Sequence, residues 1–300
     1  MPVHLPPAVR AVPSGAVHPG LIDTLLRPFE LAISQILVAA HGLLVAAGMP
    51  AATGLTWVVS IAILVVVVRS ALLPLVIRQV RSSHRLAAAA PRLQEIRGRY
   101  RGSRERESLT RMGAETRAVY AETGARPLGF LPLLAQVPIL LALFRVLDGA
   151  ALGRSDAAVA AMPATQLANA TLAGASFGDR MNAGGAASLV ALGLTAVMVG
   201  ALWLLQRRQV TANTAPAALA GSAGMAQRVS VWLLPSMAVF SGFAFPIGVL
   251  VYFACTNLWS LAQQEVLLRW LPTPGSRAHD RKVAREARQT RAGGGAVGRR

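Results

Sequence analysis

Long apolar runs constrain this 300-residue chain more than any other feature of its sequence. A bilayer core about 30 Å thick is crossed by roughly 20 apolar helical residues. Residues 57–77 form one such run, broken only by Ser60, Arg69 and Ser70. Residues 128–147 form a second, which carries Pro132, Gln136, Pro138 and Arg145, and residues 184–205 form a third without a charge. The stretch 229–268 is too long for one crossing and holds Phe245-Pro246-Ile247-Gly248, a helix-breaking turn, so it reads as two helices, 229–245 and 247–268. Residues 31–47 are apolar but shorter and include Ser34, Gln35 and His41. They read as an amphipathic helix on the membrane surface sooner than as a span. The first 20 residues lack the apolar centre of a secretory signal.

Charge fixes the expected orientation. The net charge is +17 although only 14% of residues are charged, so the charges must be segregated from the apolar mass. Basic residues favour the cytoplasmic side. Residues 78–126 hold twelve arginines, 206–228 hold three, and 269–300 hold nine basic residues, whereas 1–56 and 148–183 hold two each. Arg69 and Arg145 remain inside spans. The expectation is an all-α integral membrane protein with five spans, N-terminus outside and C-terminus in the cytoplasm. Its parts are an extracytoplasmic tail 1–56, a five-span core 57–270 and a cytoplasmic tail 271–300. Trp57, Trp203, Trp232 and Trp270 fall near span ends, as interfacial aromatics do.

The basic segment 80–126 has a helical seam. Leu86, Leu93 and Tyr100 recur at seven with Ile96 on the same face; after Gly102-Ser103, Leu109, Met112, Thr116 and Val119 recur at three and four. Two amphipathic helices forming a hairpin follow, with Gly124 ending the second. The twelve arginines of residues 78–126 against five glutamates suit an anionic partner such as ribosomal RNA, lipid headgroups or an acidic protein. The tail beyond Leu271 holds eight basic residues and few apolar ones, so it is expected to be disordered when free.

Arg69 lies near the middle of its run. A cation at that depth costs about 2.5 to 3.5 kcal/mol on insertion scales. Arg78, nine residues on, marks the inner interface, farther than one side chain reaches. A hydrated cavity inside the bundle answers the problem better. Pro74 leaves the carbonyl of Ser70 without its helical donor, one residue from Arg69. Gln136 and Asn257 add polar groups at similar depth. The one acidic residue within the expected spans, Glu265, lies three residues from the inner end of 247–268 and away from the depth of Arg69, which leaves a buried cation suited to an acidic visitor.

Other chemistries are excluded by residue inventory. Lys282 is the only lysine and sits in the polar tail, so neither a Walker A loop nor a Ser/Lys dyad is available. Cys255 is alone, and the five histidines form no close ligand pair. An enzyme, a metal site and a cofactor are not expected. The remaining alternative is a small-anion channel or carrier using the same arginine.

With these residues in place, the chain resembles the YidC family of membrane protein insertases over residues 27–272. The likeness is carried by Trp57 through Arg69 to Leu73-Pro74-Leu75 and Gln79, then by Gly124 and Pro127 leading to Leu131-Pro132-Leu133-Leu134-Ala135-Gln136-Val137-Pro138. Phe245-Pro246-Ile247-Gly248 followed by Leu250, Tyr252, Asn257, Leu258-Trp259 and Gln263-Gln264 completes it. The resemblance implies a hydrophilic groove open to cytoplasm and lipid and closed outward, with Arg69, Gln136 and Asn257 as its lining and Pro74, Pro132, Pro138 and Pro246 shaping it. It further implies an insertase and chaperone of the bacterial plasma membrane that consumes no ATP. Nascent membrane proteins would be its clients, membrane lipids, the Sec translocon and the ribosome its partners, and no small molecule its substrate. Departures from the family pattern are Arg126 where asparagine is common, a shortened stretch between Pro127 and Pro132 without its cysteine, and Tyr252-Phe253 in place of a Tyr-Trp pair.

Overall fold

The computed structural model describes residues 21–102, 105–124, 131–151, 167, 169–219 and 221–297. Helix α1 (Leu21–Ala46) starts with Asp23 in its first turn, where a carboxylate suits the positive end of the helix dipole. Helix α2 (Gly54–Arg99) follows, then α3 (Arg106–Thr123) and α4 (Leu131–Ala151). Strands β1 (Thr171–Leu172) and β2 (Ala175–Ser176) form a small antiparallel hairpin. The remaining helices are α5 (Gly185–Ala212), α6 (Gly221–Val239), the short α7 (Ser241–Ala244), α8 (Ile247–Trp270) and α9 (Arg277–Val297). By length and composition, residues 23–46, α2 and α5 are apolar enough to cross a membrane, and α4 has a shorter apolar stretch, Gln136–Leu147.

Helix α2 is 46 residues long and passes through both Pro74 and Pro91. The first expected span and the first arm of the hairpin are therefore one continuous helix. Arg97 and Arg99 in its last turn suit the negative end of the dipole, and Gly102, at φ 93°, makes the reversal. Helix α3 packs back on α2 through Ala89, Leu93, Ile96 and Val119, with Leu86, Tyr100, Met112 and Tyr120 at the edges. Arg92 pairs with Glu122 at 2.7 Å and Arg99 with Glu115 at 2.7 Å, while the Tyr100 hydroxyl donates to Glu115 at 2.8 Å. Leu109, expected on the seam, is exposed, whereas Tyr120, not expected there, packs at its edge.

The main core joins α1, α2, α4, α5 and α8 with the segment 167–177. Ile33, Leu37, Trp57, Ile61, Leu143, Leu250 and Phe177 are among its buried members. Helix α5 contributes small residues, Ala187, Ala191 and Thr195, spaced by four on one buried face. A stripe of that kind brings helix axes close together.

Three expectations need correction. The tail beyond Leu271 is not structureless: α9 forms because the buried Ser276 accepts from the His279 amide at 3.3 Å, and Asp280 occupies the first turn. Trp57 is not an interfacial aromatic. It is fully buried and stacks on His41 at 4.0 Å between ring centroids, so His41 is likewise a core residue, not an interfacial one. The aromatic ring offers an apolar face that covers the imidazole.

Candidate functional site

Burial on α2, α4 and α8 stops part-way along each helix, whereas on α5 it continues through Met198 and Ala201. On α2, Trp57, Ile61 and Val65 are buried at spacings of four, and no residue from 66 to 81 is. Arg69 extends that same stripe by one further turn and is half-buried. On α4, burial runs through Ala142, Leu143, Val146 and Leu147, while Gln136 to Leu141 are all partly exposed. On α8, Ile247 to Tyr252 and Ala254 are buried, and nothing from 255 to 270 is. The bundle is thus packed solid at the end near β1 and β2 and looser towards the α2–α3 hairpin.

Arg69, Gln136 and Asn257 all lie just on the looser side of that boundary. Gln136 Nε2 donates to the Tyr252 hydroxyl at 3.1 Å, tying α4 to α8. Tyr252 also lies within electrostatic range of Arg69. Among the described residues Arg69 enters no ion pair. Asn257 differs from the other two: its amide donates to the Phe253 carbonyl of its own helix at 2.9 Å. Tyr252 was absent from the expected site, though its place one turn before Thr256-Asn257 on α8 was readable.

The prolines act at different places. Pro74 is exposed on α2, and Pro138 is half-buried inside α4. The Pro132 side chain lies outside the described residues. Pro246 is buried as the N-cap of α8, with φ −68° and ψ 158°. Its fixed φ starts the helix sharply. Beside it, Phe245 meets Phe144 at 6.0 Å and Phe253 at 5.4 Å in edge-to-face contacts, which close the packed side of the boundary.

The packed end is sealed by the 171–179 segment. The Ile247 amide donates to the Asp179 carbonyl at 2.8 Å and the Gly248 amide to the Phe177 carbonyl at 3.0 Å, so two otherwise orphaned amides at the start of α8 find partners. Gly54 lets Thr171 approach α2: a Cβ there would sit 2.3 Å from the Thr171 carbonyl oxygen. Nothing in the local sequence announced this seal except the Ala173-Gly174 turn, both residues having positive φ.

Arg145 also finds partners. Its guanidinium donates to Asp23 at 2.6 Å and to Glu30 at 3.4 Å, both on α1. The neutralising carboxylates come from outside the expected spans.

The family model described as 60Kd inner membrane protein matches residues 49–273, three quarters of the chain. The chain belongs to the YidC family. A membrane protein insertase YidC of Bifidobacterium longum is 31% identical over 281 residues, spanning 91% of this chain and 84% of that relative. The YidC insertase of Tropheryma whipplei strain Twist is 31% identical over 287 residues, spanning 87% of this chain and 90% of its own length. That of Streptomyces avermitilis is 32% identical over 238 residues, 75% of this chain and 54% of the relative. The matched YidC region includes Arg69, Gln136, Tyr252 and Asn257, and stops before α9.

Proposed function

We propose that this chain inserts nascent membrane proteins and assists their folding through a positively charged groove, closed at the β1–β2 end and open towards the hairpin. The observation that carries this reading is Arg69, a half-buried cation without an ion pair among the described residues, placed one turn beyond the solid core. A cation in such a place favours an acidic, hydrophilic segment, while the apolar helix of the same client partitions into lipid alongside. Gln136 and Tyr252 line the path with uncharged polar groups, and Asn257 lies about one turn nearer the opening along α8. Membrane potential acting on charged tails adds drive. The hairpin faces the cytoplasm, the N-terminus lies outside and the C-terminus inside, giving five spans. The insertase works alone or with the Sec translocon, and its hairpin and tail dock ribosomes.

Contacts of α1 support a flat rather than spanning placement for that helix. Its Asp23 end meets Arg145, next in sequence to Phe144 and so at the level of Phe245, while its His41 end meets Trp57 at the start of α2. Both ends thus lie at the closed end of the bundle. A 26-residue helix held at both ends on one level runs along the surface, whatever its hydropathy.

Reconstituted protein tests the groove. Arg69→Ala is expected to lower insertion of clients with acidic translocated tails by about tenfold, the equivalent of one charge-assisted hydrogen bond, with neutral-tailed clients little changed. Arg69→Lys restores activity in part if charge suffices. Undiminished insertion of acidic-tailed clients by Arg69→Ala at matched expression refutes the electrostatic role. Small-anion conductance by the reconstituted protein, without insertion, points to a channel.

A further inference from the structure

A second basic site lies at the far ends of α5 and α8, where α9 folds back upon them. The three helices enclose a cavity of about 1080 Å³ lined by seven arginines and one glutamate. Helix α9 supplies Arg277, Arg281, Arg285 and Arg288, whose spacings of four, four and three put them on one face. Arg207 and Arg208 come from α5 and Arg269 from α8. Among the described residues only Arg208 is neutralised within the cavity, by Glu265.

The site is built, not a chance meeting with a loose tail. Lys282 donates to the Trp270 carbonyl and Arg285 to the Arg269 carbonyl, each at 3.1 Å, so α9 provides cations to the end of α8. The Thr273 amide donates to Asn213 Oδ1 at 3.1 Å, which ties the connecting turn to the end of α5. The only lysine of the chain is thereby part of this clamp.

We propose that this cavity binds the phosphate headgroup of an anionic phospholipid. Guanidinium forks match phosphate oxygens in pairs, and excess positive charge in a semi-enclosed space selects an anion. The depth is that of a headgroup: α5 is uncharged from Gly185 to Gln206, and the cavity begins at Leu204 and Arg207. The walls are part carbon, with Leu204, Leu268 and Ala284 beside the arginines, and Val266 and Trp270 are 57% and 67% exposed. Such a mouth suits glycerol and the first methylenes of a lipid next to an interfacial indole. A nucleic acid would lie on an open polar surface instead, and these apolar walls would stay uncovered.

Full-length protein in nanodiscs of phosphatidylcholine with a minor share of phosphatidylglycerol, released and weighed by native mass spectrometry, tests this. The wild type is expected to retain phosphatidylglycerol preferentially. Replacing Arg277, Arg281 and Arg288 together by Gln, which spares the clamp, is expected to lower the retained ratio by at least about tenfold, the cation attraction being about 1 kcal/mol per arginine. Ala284→Glu, which removes no group and adds a carboxylate to the cavity wall, is expected to do the same. Arg27→Gln on α1, outside both the cavity and the hairpin, serves as a charge control and leaves retention unchanged. Unchanged phosphatidylglycerol retention in both cavity variants overturns the proposal. A loss of RNA oligonucleotide binding with lipid retention intact overturns it in favour of a nucleic-acid surface.

Discussion

Gln136 and Tyr252, 116 residues apart in sequence, meet at 3.1 Å where the solid core of the bundle gives way to partly exposed side chains. The bond joins α4 to α8 beside Arg69 and sets the separation of the helices that flank it. A neutral hydrogen bond in a partly wet site contributes about 1 kcal/mol. A double-mutant cycle of Gln136→Ala and Tyr252→Phe, read by thermal unfolding in detergent, is expected to return a coupling of that size. Additive effects of the two substitutions would mean that the bond is not made.

The seal at the closed end depends on the absence of a side chain at residue 54. Gly54→Val puts carbon against the Thr171 carbonyl, which is backbone and must move as a unit. A loss of about 1 to 3 kcal/mol in stability is expected. Protease sensitivity in residues 171–179 should rise in parallel, whereas the distant hairpin should resist cleavage as before.

His84 sits where the hairpin arm of α2 comes within electrostatic range of His279 on α9. Burial first, and the like charge of His279 second, hold its imidazole below the ordinary histidine range. The folded protein therefore favours the neutral ring more than the unfolded chain does. Between the ordinary value and the lowered one the unfolded chain binds more protons, so stability falls as pH drops below about 6.5. Thermal unfolding across that range should show the loss, and His84→Asn should flatten it; an unchanged profile in the variant would assign the effect elsewhere.

Asp23 and Arg145 hold α1 to α4. The pair is about half exposed, so its contribution is modest, about 0.2 to 1 kcal/mol. Asp23→Asn with Glu30→Gln should speed hydrogen exchange in the first turns of α1 while leaving the His41 end protected. Exchanging the charges, Asp23→Arg with Arg145→Asp, should recover part of the protection. Equal protection in all three proteins would mean that packing alone positions the helix.

Much of the α2–α3 hairpin was readable because its information is local. The seven-residue spacing of Leu86, Leu93 and Tyr100, the reversal at Gly102 and the stop at Gly124 each act within a turn or two of chain. The break at Phe245-Pro246 was readable for the same reason, since proline fixes its own backbone. Arg69 was singled out by depth alone, which follows from counting residues along a run. Tyr252 was not, because a tyrosine in an apolar helix declares no partner until another helix brings one.

The sequence by itself determined which segments are apolar, on which of them the charges fall, and that one arginine is stranded inside a run with no acid nearby. These follow from composition along the chain, and solvent partitioning acts residue by residue. Tertiary structure alone decided that Arg145 is neutralised by α1, that Thr171 to Asp179 close one end of the bundle, and that the basic tail becomes a helix clamped to α8. Each is a contact between distant segments, and directional bonds between them exist only after packing has set the distances.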